Sequence, residues 1–207
     1  MLRVILGQIN KDTLESNIRI HDLNPMDSNS SWNLMVMYEM RGNVNAAIEE
    51  YKRGKEIFKE WPAGDYNALV VYLGSGDVKE AKALLRNLNS IPLYRAALEH
   101  FDEPETALME LRDFYSDEAY SDFISKLTIS TFAAYFDDQD LALKAMIDSV
   151  NEFPLELFAV WRPVFKDMRR LDGFKNLLRS SGVVAYWLKY GWPTYCKPAG
   201  DDDFECE

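Results

Sequence analysis

The sequence predicts an all-α protein, and three observations predict it. Tyr38, Gly42, Ala47 and Tyr51 recur 34 residues later as Tyr72, Gly76, Ala81 and Leu85, with Gly54 answered by Leu88, so one unit is written twice in register. Apolar residues within each unit fall at three- and four-residue spacings, the period of a helix face and not the alternation of a strand. Gly42, Gly76, Pro62 and Pro92 punctuate these runs where one helix must stop and another start. Together they divide the chain into a partial repeat and turn over 1–28, four helix pairs over 29–154, capping helices over 155–195 and an acidic tail over 196–207.

Taken in order, residues from about Asn10 to His21 read as the second helix of a truncated unit, ended by the turn Asp22-Leu23-Asn24-Pro25. The first full unit places Leu34, Met35 and Tyr38 on a helix that ends near Gly42, where glycine tolerates the left-handed turn conformation. Its second helix starts at about Val44, carries Ala47, Ile48, Tyr51 and Ile57 or Phe58, and stops at Pro62 after Trp61. Leu69 and Tyr72 precede Gly76-Asp77 in the second unit, followed by Ala81, Leu84, Leu85 and Leu88 up to Asn89-Ser90. Beyond Pro92 an acidic turn with a small residue five places later marks each unit: Asp102 with Ala107, then Asp137 with Ala142. The third unit therefore has a short first helix, about Leu93 to Phe101, and a second carrying Ala107, Leu108, Leu111 and Phe114. Helices over Phe123 to Phe136 and Leu141 to Val150 form the fourth. The cap reads as one helix from about Pro163 to Leu171 merging into Gly173 to Ser180, and another over Val183 to Tyr190. It covers the apolar end that a stack of repeats leaves open.

These residues resemble the tetratricopeptide repeat, a 34-residue helix-turn-helix unit with a tyrosine in its first helix, glycine at the turn and a small residue in its second. The resemblance implies a right-handed α-solenoid whose concave groove is lined by the first helix of each unit and binds a peptide or another protein. Trp32, Val36 and Glu39 would then face the groove in the first full unit, Tyr66 and Val70 in the second, Ala96 and His100 in the third, and Thr131 and Tyr135 in the fourth. For Trp32 and Tyr66 the alternative is to fill gaps between neighbouring units.

Trp161-Arg162-Pro163, Arg169-Arg170, Phe174, Leu177, Gly182, Tyr186-Trp187 and Gly191-Trp192-Pro193 with Cys196 resemble the closing segment of bacterial tetratricopeptide proteins that carry winged-helix or nucleotide cyclase domains. That likeness implies the sensory or regulatory part of a bacterial signalling or transcription-regulatory protein. It also implies a cytoplasmic placement or, for membrane-anchored relatives, a periplasmic one.

Charge and composition narrow the function further. The 34 Asp and Glu against 23 Lys and Arg give a formal charge of −11, which repels a phosphate backbone and argues against direct nucleic-acid binding. No run approaches the length of an apolar membrane span. With only His21 and His100, neither beside a second histidine or a cysteine at ligand spacing, no metal, cofactor or catalytic set assembles from the sequence. His100 with Asp102 and Glu103 reads as an end-of-helix histidine beside an acidic turn, and Asp137, Asp138 and Asp140 as a repeat turn. Gly74-Ser75-Gly76 lacks the residues of a phosphate loop or a nucleophile elbow. Asp201-Asp202-Asp203 reads as solvated tail, and the aromatics Trp187, Tyr190, Trp192 and Tyr195 as packing of the cap. The basic cluster Arg162, Lys166, Arg169, Arg170 and Lys175 is most simply paired with acidic helices of the same chain. For Cys196 and Cys206 both a disulfide loop and two reduced thiols stand open. The expected function is non-catalytic binding of a protein or peptide, with self-association as a homodimeric scaffold the alternative.

Overall fold

A computed structural model describes residues 2–200 and 203–206. Among these the chain is mostly helical, in the order α1 (Leu2–Ile5), α2 (Lys11–Leu23), α3 (Ser28–Met40), α4 (Val44–Ile57), α5 (Pro62–Ser75), α6 (Val78–Leu88), α7 (Pro92–Glu99), α8 (Pro104–Ser116), α9 (Phe123–Tyr135) and α10 (Gln139–Glu152). After several 3-10 turns come α11 (Asp172–Ser180), α12 (Val183–Tyr190) and a hairpin of β1 (Cys196–Pro198) and β2 (Phe204–Cys206). Among the described residues no helix is long and apolar enough to cross a membrane.

Local chemistry sets most helix ends. The side chains of Asn10, Asp27, Asn43, Asp77, Asp122 and Asp138 each accept a backbone N–H from the first turn that follows, supplying partners for donors a helix start leaves unpaired. Helices α5, α7 and α8 start instead on Pro62, Pro92 and Pro104, where a missing N–H costs nothing. At the turns inside the units Gly42 and Gly76 have φ of 74° and 75°, and the corresponding turn of the fourth unit uses Asp137 at φ 70°. Aspartate is among the few residues with a side chain that tolerate this region.

From α2 onward each helix packs against its successor, with α3 against α4, α5 against α6, α7 against α8 and α9 against α10 forming the pairs. First members of the pairs also touch one another: α3 meets α5, and α9 meets both α5 and α7. Ala47, Ala81, Ala107 and Ala142 are all essentially inaccessible, the small side chains letting paired backbones come close.

The C-terminal segment departs from the expected pair of capping helices. Residues Pro154–Trp161, Pro163–Phe165 and Met168–Arg170 form 3-10 turns, and the helix expected over 163–171 is absent. Arg162 and Leu171 are extended, with ψ of 148° and 142°, the first as expected of a residue that precedes proline. Carbonyls freed by the lack of α-helical bonding are satisfied by a buried side chain: Arg169 Nη1 donates to Val160 O and Arg162 O at 2.9 and 3.1 Å. Within the acidic tail, residues 196–198 and 204–206 form the hairpin of β1 and β2, and Asp203 is exposed. Cys196 and Cys206 are joined in a disulfide and pair across the hairpin, Lys175 and Arg179 both donate to Asp203, and Phe204 is buried against Trp187 and Trp192. Asp201 and Asp202 lie outside the described residues.

Candidate functional site

The face expected to be an open groove is filled by the chain's own 3-10 segment. Pro163–Phe165 packs on α5 and α9, and Pro154–Trp161 packs on α10 and α1. Val160, Trp161, Phe165 and Met168 are buried to within a percent or so, so the segment belongs to the core. Burying its apolar side chains contributes roughly 1.5–3 kcal/mol each, which explains why the groove is closed.

Five of the expected groove residues are therefore buried: Val36, Glu39, Val70, Ala96 and Thr131. Val36 and Val70 pack apolar surface. Glu39 meets Arg162, whose Nε donates to Glu39 Oε2 at 2.7 Å, while Nη1 and Nη2 donate to Asn67 Oδ1 and Asn67 O at 2.7 and 3.0 Å. Beside this clamp the hydroxyls of Tyr66 and Thr131 lie 2.9 Å apart, joining α5 to α9. Trp32 is half-buried, its ring 5.8 Å from Phe158 of the inserted segment and its Nε1 donating to Asn29 Oδ1. His100 sits apart from the clamp, 3.3 Å from Glu110 and 3.7 Å from Glu103, and Tyr135 packs on Phe101 and Phe136. The structure thus brings Glu39, Tyr66 and Thr131 to one place and leaves His100 and Tyr135 at another.

Burial and one guanidinium oppose each other in the electrostatics. Desolvation raises the Glu39 carboxyl above its ordinary range, with Arg162 pulling the other way. Glu156 is pushed up to about 7 by burial, again against the pull of Arg162. Desolvation likewise raises the Tyr66 phenol and lowers Arg169 to about 10. For Glu39 the loss of water outweighs the opposing charge and hydrogen bond of Arg162, so burial sets the direction of its shift.

The basic cluster is sorted by the fold. Arg162 pairs with Glu39, Arg170 with Asp167 and Lys175 with Asp203. Asn67 and Glu156 had no place in the sequence reading. A signal for Asn67 exists, since Trp32-Asn33 is answered 34 residues on by Tyr66-Asn67, but nothing local to Glu156 marks it. Chemically the arrangement grips a non-helical stretch of polypeptide through a carboxylate, a side-chain amide and a main-chain carbonyl. No protein-family model matches the sequence, and no curated protein matches it significantly.

Proposed function

We propose that this chain is a non-catalytic α-solenoid of tetratricopeptide-like helical hairpins that binds a protein or peptide, as the sensory or regulatory part of a bacterial signalling or transcription-regulatory protein. The observation that carries the reading is the first-helix row itself. Glu39 of α3 and Asn67 of α5 already hold the inserted 3-10 segment through the side chain of Arg162, which donates to a carboxylate, a side-chain amide and a main-chain carbonyl, the kinds of interaction such repeats use on a ligand. Because that segment is core, the partner-binding surface is the rim left beside it, where half-buried Trp32 lies against Phe158 and half-buried Tyr66 meets Thr131. An aromatic anchor at the edge of a rigid scaffold is the kind of group that carries binding energy. Of the two placements, the Cys196–Cys206 disulfide favours the oxidising, extracytoplasmic one.

A second reading, self-association, is favoured by exposed Ile20, Leu23 and Met26 at the end of α2, an apolar edge of the kind a second copy covers. A photo-crosslinking residue at position 32, with one at Lys79 on an exposed helix end as control, tests the first reading in cells. A heterologous protein captured only from position 32 supports it. Capture of a second copy of the chain, with a mass that doubles with concentration, replaces it by the second.

A further inference from the structure

A cavity of about 450 Å³ opens between α4 and α6, both of which pack on α5. That volume falls among those of small-ligand sites. Glu49 and Lys52 line it from α4, and Asp77 and Glu80 line it from the start of α6. Half-buried Val44 and Ile48 of α4, with the ring of Tyr72 from α5, give it an apolar side. Three carboxylates thus share the cavity with a single ammonium. Asp77 has a structural duty, since its Oδ1 accepts the backbone N–H of Glu80 and caps α6. Glu80 meets only Lys79, at 3.8 Å, in a pair that water screens. Glu49 has no hydrogen bond or ion pair among the described residues.

Acidic side chains alone attract any cation, and Tyr72 adds selectivity. It lines the cavity while only 9% exposed, and its hydroxyl has no hydrogen-bond partner among the described residues. The nearby Tyr51 hydroxyl is already given to Asp65 Oδ1 at 2.6 Å. Burial, then the charges of Glu80 and Asp77, hold the Tyr72 phenol above its ordinary range, so it stays neutral with its oxygen able to accept. A hydroxyl on so buried a ring ordinarily finds a partner, and the carboxylates around this one have no proton to give. The cavity therefore lacks two things, positive charge for Glu49 and Glu80 and a donor for Tyr72.

We propose that this cavity binds an aliphatic polyamine, with one ammonium on Glu80 and the Tyr72 hydroxyl, a second on Glu49, and its methylene chain along Val44 and Ile48. An ammonium supplies charge and donor together, and the methylenes use the apolar side. A bare metal ion would leave that side unused, and among the described residues no group of carboxylates is arranged to hold one. The site goes beyond the protein-binding reading and is independent of it, since neither Trp32 nor Tyr66 lines the cavity.

Calorimetric titration of the full chain with spermidine, and with hexylamine as a single-charge ligand, tests it. Spermidine is expected to bind saturably and hexylamine at least tenfold more weakly. Tyr72→Phe and Glu49→Gln should each weaken spermidine by about tenfold, the worth of one charge-assisted hydrogen bond. Glu60→Gln, at an exposed carboxylate outside the cavity, should leave it unchanged. The Tyr72 hydroxyl and the Glu49 carboxylate bond to nothing in the fold, so both variants keep it, which circular dichroism verifies. Absence of saturable spermidine binding overturns the proposal, as does equal affinity for hexylamine or for the Tyr72→Phe chain. Equal weakening by Glu49→Gln and Glu60→Gln also overturns it, by showing only a diffuse attraction to a chain of formal charge −11. The crosslinking result at position 32 is unaffected by any of these outcomes.

Discussion

Arg162 Nε lies 2.7 Å from Glu39 Oε2, with both side chains 1% exposed and the two residues 123 positions apart in the sequence. The pair ties the C-terminal segment to the first full helix pair through the interior of the molecule. Removing one partner strands a buried charge, so Arg162→Ala is expected to cost roughly 3–5 kcal/mol in chemical denaturation, whereas replacing both Arg162 and Glu39 by methionine should cost less than the two single changes summed. Additive losses would show that the two residues do not act as a pair.

Glu156 gives stability a pH dependence of definite sign. Its carboxyl is raised from 4.5 to about 7 in the folded chain, so between those values the folded state holds a proton that the unfolded state has released. Stability is therefore full below about pH 4.5 and declines as pH rises through about 7. Glu39, raised in the same direction, adds to the decline. Thermal melts across this window should show a falling midpoint that flattens in Glu156→Gln, and an unchanged slope in that variant would assign the effect elsewhere.

Trp61 is wedged between two glycines. A Cβ added at Gly54 of α4 would stand 2.2 Å from the indole, and one at Gly64 of α5 would stand 2.1 Å away. Alanine in a helix gains up to about 1 kcal/mol over glycine, but expelling a buried ring costs roughly 1–3 kcal/mol, so overpacking wins. Both Gly54→Ala and Gly64→Ala should lower the melting temperature and red-shift tryptophan fluorescence; a stabilised variant would mean that the ring moves freely.

The disulfide closes a short loop, with ten residues of sequence separation. Chain entropy for a loop of that length gives about 3 kcal/mol of stabilisation. Its loss should act locally: in Cys196→Ala/Cys206→Ala, amide exchange is expected to rise over 196–206 and at the end of α11, where Lys175 and Arg179 meet Asp203, while α3 to α6 remain protected. Exchange unchanged in the tail would show that Phe204 and its tryptophan neighbours hold it without the bond.

Helix starts and stops were legible because their causes are local. Asp77 caps α6 three residues on, Pro62 begins α5, and Gly42 turns the chain with no reference to anything distant. The 34-residue recurrence marked two helix pairs, and the acidic turns at Asp102 and Asp137 marked two more. The clamp was not legible in the same way. Val36, Val70 and Thr131 sit at groove positions by helical register, but register cannot say whether the space in front of them holds water, a partner or the chain itself.

The sequence by itself determined the mostly helical class and the succession of helix pairs, since each depends on neighbours within a few positions. Only the tertiary structure decided that Pro154 to Arg170 abandons the α-helix to fill the face of the first helices, and that Cys196 and Cys206 close a hairpin. The physical reason is the same in both: Arg162, Glu39 and Phe204 owe their positions to partners far along the chain, and such burial becomes favourable only once the helix pairs have assembled the surface that receives it.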